Sequence, residues 1–232
     1  MTVPAGKNVK AKLVRQVLFM LAFYMVCLFV PAGTLKFWRG WLFLTVLCAP
    51  ALGLTIYFHK HNRPLLERRL RRREKIRAQK VIMLLWIILT AAGMVLAGCD
   101  FRFGWTRALV GPFPWWPTAL ALAVIAGHFV WSFRVFQANR FAASTIQVET
   151  GQTLIDTGPY RVVRHPLYLG SVVCWLATPP ALASLVVVPV CGLVIAVIVL
   201  RLLNEERMLR HELPGYADYC QRTRYRLIPF VW

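Results

Sequence analysis

Between Gly158 and Gly170 the chain reads Gly-Pro-Tyr-Arg-Val-Val-Arg-His-Pro-Leu-Tyr-Leu-Gly, gathering Tyr160, Arg161, Arg164, His165 and Tyr168 into one short stretch. Immediately beyond it, Leu167 to Leu200 carries no charge. Ionisable groups at the mouth of an apolar span are costly to keep, which marks them as candidates for chemistry. A second cluster, Glu205-Glu206, stands about one helical turn past the apolar stretch. Arg201 and Glu205 are i,i+4 neighbours, as are Glu206 and Arg210, so intrahelical ion pairs account for one carboxylate. They do not account for both. Adjacent helical residues project about 100° apart, so one faces inward if the other faces water.

Brought together, these groups offer carboxylates for an amine or ribose hydroxyls, arginine for a carboxylate, and aromatic rings for a base or a sulfonium. Such a pocket suits a zwitterionic cofactor with a cationic reactive centre. Other residues read more plainly: His128 suits a helix-to-helix hydrogen bond, while His59 and His61 flank a basic loop. No G-x-G-x-x-G, P-loop, H-E-x-x-H or G-x-S-x-G is present. The six cysteines form no C-x-x-C pair, and neither His165 nor His211 has the spacing of a metal ligand, so no metal is expected.

The elements that must position these groups are membrane helices. The 232 residues are 58% hydrophobic, with a mean hydropathy of +0.56, and the apolar residues come in long blocks. The net charge of +19 collects in short segments between those blocks. Membrane topology explains that charge better than a nucleic-acid partner does. Four blocks approach the length of a span: Val17 to Gly33, Gly40 to Phe58, Val81 to Cys99, and Pro117 to Phe133. Leu167 to Leu200 would be about 51 Å as one straight helix, longer than a bilayer is thick. Pro179-Pro180 predicts its reversal into a hairpin whose first arm, Pro166 to Thr178, is only about 20 Å long.

The expected architecture is therefore an all-α integral membrane protein of about six passes, the last two a helical hairpin. Residues 1–136 form four spans with a basic loop at 59–80, and residues 137–232 form a cofactor-binding core. The N-terminal stretch reads as an uncleaved first span. Lys60 to Lys80 holds ten Lys/Arg, whereas Asp100 to Trp116 holds only Arg102 and Arg107, so the first of these loops and both termini are expected in the cytoplasm. Trp105, Trp115 and Trp116 suit the opposite interface. Glu67 to Lys80 reads as an interfacial helix on anionic headgroups. The second hairpin arm continues as helix to Leu213, and the tail from Tyr216 to Trp232, alternating aromatic and basic residues, is expected to lie against the interface.

The order Gly158-x-Tyr160-x3-Arg164-His165-Pro166-x-Tyr168-x-Gly170, then Glu205-Glu206, Tyr216-x-x-Tyr219 and Ile228-Pro229, resembles the isoprenylcysteine carboxyl methyltransferase and phospholipid methyltransferase superfamily. The resemblance covers the C-terminal part of the chain; the first 135 residues match only as generic spans. It implies a membrane enzyme using S-adenosylmethionine in a cytosol-facing pocket, with a lipophilic or prenylated acceptor arriving from the bilayer. It further implies that Tyr160, His165, Pro166, Tyr168, Gly170, Glu206, Leu209 and Tyr219 bind the cofactor, and that Arg164 and Glu205 serve catalysis. Relatives often carry a longer Phe-Gly-acidic turn where this chain has Leu213-Pro-Gly, which leaves Leu213 and Tyr216 without an assigned role. A carboxylate acceptor needs only an orienting cation, and an amine acceptor needs a base; the residues do not choose between them. Membrane reductases of the sterol-reductase type, which use NADPH, resemble the same Arg-His-Pro segment, but Leu-Tyr-Leu-Gly-Ser favours the methyltransferase. A non-enzymatic scaffold or transporter is the remaining alternative.

Overall fold

In the computed structural model, residues 5–70, 77–139, 141 and 153–232 are described, with side chains given from residue 11 and not for Leu70. Five helices are long and apolar enough to cross a membrane: α1 (Ala5–Ala32), α2 (Trp38–His61), α4 (Arg77–Phe103), α6 (Trp115–Ala138) and α8 (Val188–Glu212). Between and beyond them lie α3 (Arg63–Leu70), α5 (Trp105–Val110), α7 (Pro166–Leu182) and α9 (Tyr216–Arg222). No strand occurs among the described residues. Each long helix is buried along only part of its surface, and Phe19, Val30, Leu84, Ile87, Leu120, Val130 and Leu193 stand exposed. Apolar bands of that length facing outward are what lipid contact requires. The protein is an all-α integral membrane protein.

The four apolar blocks are the centres of α1, α2, α4 and α6, whose ends extend past them by several residues. The expected sixth pass is α7, which is shorter, about 26 Å at 1.5 Å per residue. It differs from expectation at its far end. The helix runs through Pro179-Pro180 to Leu182, and the reversal falls at Ala183-Ser184, where Ala183 adopts a left-handed conformation (φ 52°). Proline at 179 removes the N–H that would reach the Trp175 carbonyl. The Cys191 thiol, from α8, donates to that carbonyl instead at 3.3 Å. Thr118 of α6 donates to the Pro180 carbonyl at 3.0 Å, and Arg39 Nε of α2 to Thr118 Oγ1 at 3.2 Å. The Cys191 thiol thus takes up a carbonyl that the proline pair leaves unpaired, and Thr118, itself held by Arg39, adds a second donor to the Pro180 carbonyl, which also accepts from the Ala183 N–H.

The turn is pinned again from α4. Buried Asp100 accepts from the Thr106 backbone N–H at 2.7 Å and from its hydroxyl, and the Leu185 N–H donates to Thr106 Oγ1 at 2.8 Å. With that end fixed, the core of Leu28, Met94, Ile125, Val194, Ile198 and Leu202 fills the space between α1, α4, α6 and α8. Trp105, Trp115 and Trp116 are exposed at this end. Of the basic run from Glu67 to Lys80, its first residues belong to α3 and its last to α4, while 71–76 lie outside the described residues.

Close helix crossings depend on glycine. At Gly98 of α4 an added Cβ would fall onto the Leu28 carbonyl oxygen of α1 and 3.1 Å from the Ala32 nitrogen. Backbone atoms cannot swing aside, so the helices touch there only because the side chain is absent. Gly98→Ala is expected to destabilise the protein by ~1–3 kcal/mol in thermal unfolding in detergent. Gly127→Ala, where an added Cβ meets nothing within 4 Å, is expected to stay within ~0.5 kcal/mol.

Candidate active site

His165 caps α7 and Pro166 occupies its first turn, where a missing N–H costs nothing. The Arg164-His165 pair therefore sits at the N-terminus of α7, beside the last turns of the antiparallel α8. Glu206 is buried there, 2% exposed, and binds three groups. Its Oε1 lies 3.1 Å from Arg164 Nη1 and 3.3 Å from His165 Nε2, and its Oε2 accepts from Arg226 Nε at 2.9 Å. The bond from His165 places its proton on Nε2. The positive end of α7 favours the same carboxylate. One anion thus joins the start of α7, the end of α8 and the C-terminal tail.

The tail, expected against the interface, also makes contacts that the expectation did not include. It folds back onto the site: the N–H groups of Arg164 and His165 donate to the carbonyls of Tyr225 and Arg226 at 2.9 and 3.0 Å, and Arg164 Nη2 donates to the Arg224 carbonyl at 3.2 Å. The N–H groups of Arg226, Leu227 and Ile228 all converge on the Trp232 oxygen. Two basic residues of an apparent surface strap are therefore structural partners of Arg164 and Glu206.

Glu205 behaves differently from its neighbour. Its Oε2 accepts from the Tyr168 hydroxyl at 2.6 Å, and it lines a cavity of about 370 Å³, a size within the usual range for small-molecule sites. Its polar lining includes Tyr160, Arg164, His165, Tyr168, Arg201 and Glu205, and its apolar lining Met83, Trp86, Phe136, Leu167, Met208 and Leu209. The intrahelical pairs expected of Arg201 and Glu206 give way to longer reaches. Arg201 Nε donates to the Tyr168 hydroxyl at 3.1 Å and Nη1 to Gln79 Oε1 at 3.3 Å.

Of the residues singled out from sequence, Arg164, Glu205, Tyr160, His165, Pro166, Tyr168, Leu209 and Tyr219 line this cavity. Glu206 and Gly170 are placed elsewhere. Glu206 stands behind the wall, its oxygens taken by the cations it holds. Gly170 is where α7 meets α6: an added Cβ would stand 2.7 Å from His128 Nδ1 and 3.1 Å from Trp131 Cδ1. Trp131 Nε1 donates to the Pro166 carbonyl at 2.7 Å, so the same contact fixes the start of α7. His128, read as a helix-to-helix bond, also lines the cavity, as do Leu213 and Tyr216.

Tyr160 is held from both sides, its hydroxyl by Asn139 Nδ2 at 3.0 Å and its carbonyl by the Tyr219 hydroxyl at 2.7 Å. Burial pushes its phenol up to about 12, against the pull of the Asn139 bond, so it stays neutral at physiological pH. Burial pushes the Tyr216 and Tyr219 phenols up as well. Arg226, Arg201 and Gln79 were not singled out as site residues. A basic tail or a basic helix end reads as topology, and nothing in its spacing reports which carboxylate it reaches.

Residues 116–213 match the family model described as phospholipid methyltransferase, within the superfamily that the Arg-His-Pro and Glu-Glu pattern resembles. The match contains Arg164, His165 and both glutamates and stops before Tyr216 and Arg226. The chain is 29% identical over 131 residues to a Delta(14)-sterol reductase of Mus musculus, covering 50% of this chain and 31% of that one. It is 32% identical over 84 residues to the cobalt-zinc-cadmium resistance protein CzcN of Cupriavidus metallidurans, covering 36% of this chain and 39% of that one. The chain thus spans well under half the length of these curated relatives.

Burial decides which arginine of the tail matters for stability. Arg226→Ala strands Glu206 with one fewer donor and is expected to cost ~1–3 kcal/mol. Arg222, whose side chain is 63% exposed in its 3.2 Å pair with Asp156, is expected to lose less than ~1 kcal/mol on the same change. Paired chemical unfolding curves in detergent compare the two.

Proposed function

We propose that this protein is an S-adenosylmethionine-dependent methyltransferase acting on a lipophilic acceptor that reaches the cavity from the bilayer. One observation carries the reading: the cavity at the ends of α6, α7 and α8 is lined both by polar groups, among them Arg164, His165, Tyr168 and Glu205, and by apolar side chains of membrane helices, among them Met83, Trp86 and Phe136. A water-soluble cofactor and an apolar acceptor can meet only where both surfaces are present. The match of residues 116–213 to phospholipid methyltransferases supports the same reading.

The residues present fit such a cofactor. Arg164 Nε and the Tyr216 hydroxyl are buried at this cavity with no hydrogen-bond partner among the described residues, and a ligand bearing acceptors satisfies them. Glu205 takes an ammonium or hydroxyl donor, and Tyr160, Tyr168 and Tyr219 supply rings for a base or a sulfonium. When bound, the cofactor supplies a methyl group activated by the sulfonium charge. Methyl transfer disperses that charge, so the chain's work is to position the reactants and exclude water. The tail that closes over Arg164 and His165 serves both. Arg164 orients a carboxylate acceptor, or Glu205 takes the proton of an amine acceptor.

The cavity end of the bundle also carries Lys60, Arg63, Arg68, Arg69, Arg77 and Lys80, against Lys36, Arg39, Arg102 and Arg107 at the other. By the positive-inside rule the cavity opens to the cytoplasm, and the protein is a multi-pass protein of the plasma or inner membrane if bacterial.

The match to a sterol reductase makes an NADPH-dependent membrane reductase the second reading. NADPH carries two nucleotides joined by a pyrophosphate, and a further phosphate, which want more room and more uncommitted cations than an adenosine without phosphates. Arg226 holds Glu206, and Arg164 spends Nη1 on Glu206 and Nη2 on the Arg224 carbonyl, which leaves only its Nε for a ligand. Calorimetry on detergent-purified protein separates the two. S-adenosylhomocysteine is expected to bind, and His165→Ala and Tyr168→Phe are each expected to weaken it about tenfold. NADPH binding without S-adenosylhomocysteine binding overturns the methyltransferase reading. Incubation with labelled S-adenosylmethionine and a total lipid extract then identifies the acceptor.

A further inference from the structure

Glu205 is the one carboxylate among the described residues that lines the cavity, and how it is held is informative. Its partner, the Tyr168 hydroxyl, donates to Oε2 at 2.6 Å while accepting from Arg201 Nε at 3.1 Å. Arg201 is itself buried, 6% exposed, and its Nη1 reaches Gln79 Oε1 at 3.3 Å. Gln79 is 1% exposed in the first turn of α4. Arg201 thus donates both ways, to Gln79 on one side and to Tyr168 on the other, and Tyr168 passes the donation on to Glu205. A hydroxyl that accepts from a cation becomes a stronger donor, so the Arg201 bond reinforces the bond to Glu205, and the Gln79 amide holds the guanidinium in place for it.

This chain of bonds adds a polar link between α8 and α4, whose Met83 and Trp86 line the same cavity. Gln79 lies in the N-terminal half, outside the matched residues 116–213. Arg201 ends the apolar run of α8, where a buried guanidinium is expensive unless bonded. Its fork geometry lets it bridge a hydroxyl on one side and an amide on the other, which lysine cannot do.

We infer that Gln79 and Arg201 are positioning residues for the cavity. Acting through Tyr168, they fix Glu205 as an oriented anion that receives a donor group of the ligand, an ammonium or a pair of hydroxyls. The inference rests on the proposed function in that S-adenosylmethionine carries both kinds of donor. It gives the N-terminal half a polar part in the site, because without α4 the guanidinium of Arg201 loses its amide partner.

The test is calorimetric titration of S-adenosylhomocysteine and, separately, NADPH into detergent-purified full-length protein. The variants are Gln79→Leu, Gln79→Glu, Tyr168→Phe and the double variant Gln79→Leu/Tyr168→Phe. Gln79→Leu is expected to weaken binding roughly fivefold, the worth of one hydrogen bond, while Gln79→Glu, which keeps an acceptor for Arg201, retains wild-type affinity. The double variant is expected to bind no more weakly than Tyr168→Phe alone, because the chain is already cut at Tyr168. Full affinity in Gln79→Leu, or losses that add in the double variant, overturns the inference; a merely structural role for Gln79 gives additive losses and no rescue by glutamate. If NADPH alone binds the wild type, the methyltransferase reading falls and the same variants judge the positioning chain with NADPH. If neither binds, Glu205 has no nucleotide to orient and both fall.

Discussion

A carboxylate withdrawn from water costs several kcal/mol unless donors replace the water it leaves. Glu206 is such a group, and it draws Arg164, His165 and Arg226 from two separate segments onto the end of α8. The rest of the site depends on that requirement. Holding Arg164 and His165 fixes the chain just before α7, and holding Arg226 brings the tail down over them. The carbonyls of Tyr225 and Arg226 then take the two N–H groups that the start of α7 leaves open. With Glu206 turned inward, its neighbour Glu205 projects to the cavity side, so adjacent residues divide into one that builds the site and one that faces its contents.

The membrane fold serves the same arrangement. The far end of the short α7 is bound by Thr118 and Cys191, and Thr106 binds Leu185 in the turn beyond it. On α6, His128 and Trp131 occupy the space left by Gly170, which sets the distance between α6 and α7 along the cavity.

The chemistry-bearing residues were legible because they break the composition around them. Arg164, His165, Glu205 and Glu206 stand out against apolar flanks, and the helices could be read from block length alone. Six passes were expected, and the structure has five long helices with a shorter sixth. The reversal was misplaced because proline loses a local hydrogen bond, yet Cys191, remote in sequence, supplies a donor to the freed Trp175 carbonyl, and Thr118 bonds the Pro180 carbonyl. Arg226 was missed for a related reason. Its local pattern is that of an interfacial tail, and only the tertiary demand of Glu206 distinguishes it from Arg222. Gln79 and Arg201 likewise look like the ordinary polar ends of membrane helices until the structure joins them.

That Glu206 organises the site is most directly tested by amide hydrogen exchange on detergent-solubilised Glu206→Gln, which keeps the side-chain shape and removes the charge. The amides of Arg164, His165, Arg226 and Leu227 are expected to exchange about tenfold faster than in the wild type, while those of α1 and α4 keep their protection. Unchanged protection across residues 164–165 and 226–227 would contradict it, since the tail and the start of α7 would then be held by something other than the buried carboxylate.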